Sequence, residues 1–128
     1  MDFLERLKEF LESLDTFVDH IAVGVLSDGN SIAFRPIPAQ PPIKYLDGRK
    51  SLSYGFQVLV RHSDQLKAIQ TIESISQTLD DLPKGAIKSE NNSFAFLFCS
   101  ISTPTNYVEQ DSSGWVYTAL FSANLSII

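Results

Sequence analysis

The segment LSYGFQVLVRH, residues 52–62, decides the fold of this chain. Its even-numbered positions up to Val60 are apolar or aromatic, whereas the odd-numbered ones are mostly small or polar. A period of two residues is typical of a β-strand with one buried face. The sequence therefore predicts a long, half-buried strand that ends at His62.

A helix is predicted to begin directly after this strand. Ser63 or Asp64 can cap its first turn, because a short polar side chain there accepts a hydrogen bond from the backbone. The helix runs to about Leu82, and Pro83 and Gly85 end it. Its predicted apolar face consists of Leu66, Ile69, Ile72, Ile75, Leu79 and Leu82.

Residues 1–20 predict an amphipathic helix at the start of the chain. Apolar side chains recur every three or four positions, and charged ones fill the opposite side. The apolar positions are Phe3, Leu7, Phe10, Leu14, Phe17 and Ile21. We expect this helix to pack on the chain's own sheet. A short coiled coil is the alternative, although about three heptads are marginal for one.

The pair Asp28-Gly29 separates two short runs of alternating apolar residues. Asp-Gly in such a place favours a tight turn, because both turn residues must tolerate a positive φ. Residues 21–36 are therefore predicted to form a two-stranded hairpin.

The last third of the chain contains two more strands. Residues 93–102 are apolar on both faces, with Phe94, Phe96 and Phe98 on one side and Ala95, Leu97, Cys99 and Ile101 on the other. Residues 115–128 have one continuous apolar face and one mixed face. A strand with two apolar faces needs cover on both. The face that the helices leave bare is most simply covered by a second copy of the chain.

Together these elements predict one α+β domain over residues 1–128. Its sheet is mainly antiparallel, with two helices packed on one face. The predicted order is α-β-β-β-α-β-β, with a long β-hairpin.

The composition excludes several classes of function. The chain of 128 residues has a net charge of −5, one cysteine and two histidines. The acidic balance argues against nucleic acid as a direct partner, because such binding depends on neutralising phosphates. The cysteine and histidine counts leave little for a disulfide framework or a metal centre. We find neither the apolar run of about 18 residues that a membrane span needs nor a secretory signal, and expect a protein made and used inside a cell.

No set of residues predicts an active site. His62, Ser63 and Asp64 are consecutive, and consecutive side chains do not converge as a catalytic triad does. Cys99 lies in the most apolar strand, without a basic neighbour to lower the pKa of its thiol. We therefore expect a protein that is not an enzyme, with no catalytic residue, no cofactor and no metal.

Two polar segments, residues 36–51 and 103–114, are predicted to be long loops. The first contains four of the six prolines and a second Asp-Gly pair. Tyrosine and arginine on protruding loops are common in protein interfaces, although solvated connectors would look the same. The candidate interface residues are Arg35, Tyr45, Asp47, Arg49, Lys50, Tyr107, Glu109 and Asp111.

Several motifs in a fixed order resemble one protein family. After the N-terminal helix come SDGNSIAFRPIP (27–38), YLDG (45–48), SYGFQVLVR (53–61), QLKAI (65–69), an FAF strand and SGWVYTALF (113–121). Over almost its whole length, the chain is similar to the minor capsid or tail terminator proteins of long-tailed (siphovirus-type) phages of Gram-positive bacteria.

This resemblance implies a structural virion protein that forms a hexameric ring at the head-proximal end of the tail tube. Such a ring stops tube growth and provides the interface for head–tail joining. The implied partners are further copies of the chain, the tail tube protein and a head-completion or connector protein. DNA would pass through the ring without sequence-specific binding. Arg35, Arg49 and Lys50 would then lie at subunit or tube contacts, in a protein assembled in the host cytoplasm.

Two other classes of function fit the same pattern of helices and strands. One is a small cytosolic ligand-binding or regulatory oligomeric domain without enzymatic activity. The other is a small enzyme whose site lies between subunits. Native mass at several concentrations distinguishes a closed ring from a stable dimer that binds a metabolite.

Overall fold

The helices and strands of the chain follow the predicted order. The computed structural model describes residues 2–38, 43–46, 48–112 and 114–127. Its elements are helix α1 (Phe3–Glu12), strands β1 (Ala22–Val23), β2 (Ser31–Pro36), β3 (Ile43–Lys44) and β4 (Lys50–His62), helix α2 (Gln65–Asp80), and strands β5 (Phe94–Asp111) and β6 (Gly114–Ile127). The α+β class is confirmed, and the predicted order gains one two-residue strand, β3.

The strands form one mostly antiparallel sheet in the order β1-β2-β4-β6-β5, and β3 pairs with the start of β4. Each residue of β4 has a partner in β6, from Lys50 opposite Ile127 to His62 opposite Trp115. The predicted alternation in β4 is confirmed: Phe56 is buried and its ring stacks on that of Phe121, with centroids 5.3 Å apart.

Both helices pack on the face of the sheet that carries Phe56, and we call this the inner face. In α1, the ring of Phe3 meets those of Tyr54 and Phe94 edge-on, with centroids 4.8 and 5.3 Å away. In α2, the side chains that are buried in the same core are Ala68, Ile72, Ile75 and Leu79. The cap of α2 is Asp64, whose Oδ1 accepts a hydrogen bond from the Leu66 amide at 3.0 Å.

The prediction of a helix through residue 20 is wrong, because α1 ends at Glu12. There the chain folds back, so that the Ile21 amide donates to Glu12 Oε2 at 3.0 Å. Ile21 is buried all the same, and Phe17 packs against the core from an irregular segment. The apolar spacing therefore identified the buried residues but not the end of the helix.

The predicted hairpin at residues 21–36 is also wrong, because β1 pairs with β2 in parallel. Gly24, at a φ of +102°, turns the chain away after two paired residues. The Asp28-Gly29 pair then lies in the connecting loop, where the Ser27 and Gly29 carbonyls accept hydrogen bonds from the Ser31 hydroxyl.

The long hairpin of this fold is formed by β5 and β6. Residues 103–111, predicted to be loop, continue β5. At the tip, Gly114 has a φ of +137°, and a Cβ atom there would collide with the His62 carbonyl. Polar side chains concealed the strand, because β5 is the edge strand of the sheet and most of residues 103–111 are exposed there.

A break in the ladder between Phe96 and Phe98 reverses the predicted faces of β5 beyond it. Cys99, rather than Phe98, lies on the inner face with Phe94 and Phe96, and Phe98 is 51% exposed on the other, outer face. A second exception is Leu66, predicted on the apolar face of α2 but 66% exposed at its first turn.

Candidate functional site

The residues that first suggested chemistry have structural roles. His62 Nδ1 accepts a hydrogen bond from the Asp64 amide at 2.9 Å, and its ring meets that of Phe17 edge-on. Ser63 donates its amide to Asn30 Oδ1 at 2.9 Å. The three consecutive residues therefore end a strand and cap a helix, as predicted, and their side chains do not converge.

The one cysteine is buried and its thiol is poorly ionised. Cys99 is 4% exposed. Burial, and secondarily the negative charge of Asp80, raise the pKa of its thiol to about 12. Within the described part of the chain, no group of three His, Cys, Asp or Glu residues is placed to hold a metal ion. None of the helices described there is long and apolar enough to cross a membrane.

A cationic groove lies where β4 begins and β6 ends. Its volume is about 470 Å³, and its described lining contains three cations. The lining residues are Tyr45, Arg49, Lys50, Ser51, Lys84, Ala95, Leu97 and Ser126. We call it the basic groove. Three of the predicted interface residues, Tyr45, Arg49 and Lys50, are here.

A tight turn forms one wall of the basic groove. The Tyr45 amide donates to the Arg49 carbonyl at 2.8 Å, and the Gly48 amide donates to the Tyr45 carbonyl at 3.0 Å. Leu46 is fully exposed on this turn. Asp47, also a predicted interface residue, lies outside the described residues.

Three lysines lie in or beside the basic groove. Lys44 stands opposite Lys50 in the β3–β4 ladder, so the two side chains leave the same side of this strand pair. Lys84 is held nearby because the Gly85 amide donates to the Phe96 carbonyl at 2.9 Å. Among the described carboxylates, none forms an ion pair with these three lysines.

The other cluster of predicted residues is at the far end of the sheet. Residues 107–111, which we call the hairpin end, lie on β5 before the turn. The Tyr107 ring meets those of Trp115 and Tyr117 edge-on, with centroids 6.0 and 5.7 Å away, and remains half exposed. Val108 is also half exposed, and Glu109 points to solvent.

Asp111 ties the hairpin end to the rest of the sheet. Its Oδ2 lies 3.0 Å from Arg61 Nη2, and Arg61 Nη1 donates to the Ser27 carbonyl at 2.7 Å. Arg61 Nε is buried without a described hydrogen-bond partner. Of the acidic residues predicted here, Asp111 therefore has a partner in its own chain, whereas Glu109 has none among the described residues.

Arg35 lies away from both clusters, in the middle of the outer face. Its Nε donates to Gln57 Oε1 at 2.7 Å, and Gln57 Nε2 donates to Thr118 Oγ1 at 2.8 Å. The outer face of β6 is mixed, as the sequence predicted, because Val116 is buried and the residues that follow on that face are mostly polar or small. Phe98 of β5 is an exposed apolar side chain on this face.

The structure therefore separates the predicted interface residues into three places. The basic groove and the hairpin end are at opposite ends of β6, whose 14 residues span roughly 40 Å at about 3.3 Å each. Lys84 was missed by sequence reasoning. It is far from Lys50 in the chain, and only the ladder of β4, β6 and β5 brings the two residues together.

Comparison with known proteins gives the following matches. A search of the curated proteins finds none. Among solved structures, 14 chains match. One of them is 14% identical with a TM-score of 0.47, over 98% of this chain and 90% of that one. A family model described as bacteriophage tail terminator protein matches residues 6–127.

Proposed function

Because the chain belongs to the bacteriophage tail terminator family, we propose that it forms a hexameric ring at the head-proximal end of the tail tube. The ring stops tube growth and provides the surface on which the head joins the tail. The observation that carries this proposal is the extent of the family match, residues 6–127, which includes most of α1, all of α2 and every described strand rather than one motif.

Tail terminators are structural proteins of phage tails, and the family places this chain in tail assembly. We infer that the chain has no catalytic role, and that it reaches the virion after assembly in the host cytoplasm. The buried Cys99 thiol and the cap at Asp64 support this inference, because both residues have roles in the fold. Residues 1–128 would act as one domain, since a common core joins the two helices to the sheet.

The proposed partners are other copies of the chain, the tail tube protein and a head-completion or connector protein. Rings of more than two copies require that one patch meets a different patch on the next copy. Two charged surfaces at opposite ends of the sheet support such an arrangement. DNA would pass through the ring without being bound tightly, and the net charge of −5 suits a passage for a polyanion.

A phage from which the gene for this chain has been removed tests the proposal. Electron micrographs are expected to show tubes of unregulated length or tails that do not join heads. The wild-type chain supplied in trans should restore joined particles. A Lys67→Glu chain, altered on the exposed part of α2 and away from both charged ends, is the matched control and should restore them equally well. Normal tails in the absence of the chain would refute the proposal.

A further inference from the structure

We propose that residues 44–50 of one copy dock into a groove between α2 and the free edge of β5 on the next copy. Lys44 and Lys50 would then lie beside Glu73 and Asp80. We call residues 44–50 the basic turn and the groove the acidic groove. This inference rests on the ring proposed above and assigns its subunit interface to particular residues. The contact is head-to-tail, because the turn and the groove are different surfaces of the same chain.

The acidic groove lies between α2 and the strand at the edge of the sheet, and its volume is about 360 Å³. Glu73 and Asp80 line it from the helix, and Ile101 and Pro104 line it from β5. Ile101 is 37% exposed there. The other lining residues are Ser76, Gln77 and Thr105. The groove therefore combines two negative charges with accessible apolar surface.

No lysine or arginine of the same chain neutralises the acidic groove. All ten of these residues lie in the described part of the chain, and none of them lines the groove or forms an ion pair with Glu73 or Asp80. Each of the other concavities described is lined by at least one lysine or arginine. Complementary charge steers partners together and fixes their register, so the acidic groove favours a basic occupant.

The free edge of β5, which faces away from β6, forms one side of the acidic groove. Near its start the Gly85 amide donates to the Phe96 carbonyl at 2.9 Å. Beyond Phe96, no described strand pairs with this edge. Unpaired backbone groups of an edge strand can bond to another chain. Pro104 has no amide hydrogen, so such bonds would come from the residues before it.

The basic turn has the charge and the apolar side chains that this groove favours. Residues 44–50 contain three cations and one acidic residue, a net charge of +2. Lys44 and Lys50 are exposed and lie opposite each other in the β3–β4 ladder. Between them, Tyr45 is half exposed and Leu46 is fully exposed. The two apolar side chains can be buried in a partner while the lysines meet its carboxylates.

The spacing of the charges also matches. Glu73 and Asp80 are seven residues apart on α2, which places them on one side of the helix roughly 10 Å apart at about 1.5 Å per residue. Lys44 and Lys50 leave the same side of their strand pair, with Cα atoms about 5 Å apart. Lysine side chains are long and flexible. One lysine can therefore reach each carboxylate.

The basic turn cannot reach the acidic groove of its own copy. Lys50 lies opposite Ile127 of β6, whereas Ile101 lies opposite Phe121. These positions on β6 are six residues apart, which is roughly 20 Å at about 3.3 Å per residue. The rest of the turn precedes Lys50 and is farther away. A contact between the turn and the groove must therefore join two copies.

Cross-linking tests the contact directly. Leu46→Cys in the basic turn and Gln77→Cys in the acidic groove are combined with Cys99→Ala, and the protein is added to tails that lack it. A short bis-maleimide is expected to give a ladder of covalent oligomers that ends at the ring. Each single-cysteine chain, and a Leu46→Cys and Lys67→Cys pair, should give none. Absence of a ladder from the Gln77 pair, on tails that the protein has capped, would overturn the proposal.

A photo-activated cross-linker identifies the occupant. With p-benzoylphenylalanine in place of Gln77, capped tails are expected to yield an adduct with residues 44–50 of a second copy. Mass spectrometry of the digested adduct locates the attachment. An adduct with the tail tube protein, or with another segment of this chain, would assign the groove to a different occupant and overturn the proposal.

Charge exchange provides an independent test. Glu73→Lys with Asp80→Lys, and separately Lys44→Glu with Lys50→Glu, should each weaken assembly on tails at least tenfold, whereas the four changes together should restore it. Asp15→Lys with Asp19→Lys changes the net charge as much as the groove variant does and should assemble normally. Thermal unfolding checks that each variant folds. Failure of the fourfold variant to recover would overturn the pairing.

The tests separate this inference from the ring itself. If the wild-type chain does not cap tails, the proposed function fails. If the wild-type chain and the chain with both acids of the groove replaced cap tails equally, the ring stands and the contact between the turn and the groove is wrong.

Discussion

The two ladders that share β6 differ in regularity. Between β4 and β6, every residue of β4 has a partner, and no shift interrupts the register. Between β5 and β6, the register shifts four times along the strand. The regular β4–β6 ladder lies in the interior of the sheet. The irregular β5–β6 ladder contains the edge strand β5 and the hairpin end. Alternation in sequence is therefore a reliable guide to burial only where the register is unbroken.

The largest expected effect on the free energy of unfolding comes from removing a buried side chain of the regular ladder. Phe56→Ala should lower the free energy of unfolding by about 3–5 kcal/mol, because a fully buried ring that stacks on Phe121 is replaced by a cavity. Phe98→Ala, on the irregular strand, is the matched control and should change it by less than about 0.5 kcal/mol, since that ring is half exposed. Chemical denaturation measures both values, and equal losses would contradict the assignment of faces.

A smaller effect is expected where the irregular strand is tied to the sheet. Asp111→Ala should lower the free energy of unfolding by about 1–2 kcal/mol, because it leaves the largely buried Arg61 guanidinium without its carboxylate. Glu109→Ala, two residues away and without a described partner, should have no measurable effect on folding. Urea titration of the two variants distinguishes them. An equal response would mean that the Arg61–Asp111 pair contributes nothing.

The same contrast explains how much of the fold was predictable. The faces of β4 and β6, the buried positions of α2 and its Asp64 cap are properties of local sequence, and the structure confirms them except at Leu66. The end of α1 at Glu12 is not local, because it depends on a hydrogen bond from Ile21. Parallel pairing of β1 depends on the turn at Gly24 rather than on Asp28-Gly29.

The candidate site was predicted less completely than the fold. Tyr45, Arg49 and Lys50 were identifiable because turn residues and cations cluster in one stretch of sequence. Lys84 joins them only through the order of the strands, which alternation does not determine. Residues 103–111 were assigned to a loop because their side chains are polar, although their backbone is paired with β6.

Experiments on Cys99 test whether the register shift in β5 places this residue on the inner face. Cys99→Ala should lower the free energy of unfolding by about 1 kcal/mol, as expected for a small deletion in a packed core. Because burial raises the pKa of the thiol to about 12, the native protein should react with a thiol reagent far more slowly than the unfolded chain. Timed labelling with and without denaturant measures the ratio. Rapid labelling of the folded protein would place Cys99 on the exposed face instead.

The smallest expected effect is a pH dependence where the N-terminus meets the segment that precedes β5. The Asp2 carboxylate accepts hydrogen bonds from the Ser89 hydroxyl at 2.7 Å, the Glu90 amide at 2.9 Å and the Ser93 hydroxyl at 3.1 Å. The Ser89 bond is the main cause that lowers the pKa of Asp2 from 3.8 to about 2. Since the folded state then binds this proton more weakly than the unfolded state does, the contribution of Asp2 to stability is present above its ordinary pKa.

That contribution is lost as the pH falls from about 4 towards 2. The wild-type chain should therefore exceed an Asp2→Asn chain in stability at neutral pH, and the difference should shrink through this range. Thermal unfolding at several pH values measures it, with Asp19→Asn as the matched control, because no ion pair or hydrogen bond is described for the Asp19 side chain. Asp2 is only partly buried, so the difference should be the smallest of those predicted here. If the two chains differed in stability by the same amount at all pH values, the charge of the Asp2 carboxylate would not stabilise the segment before β5.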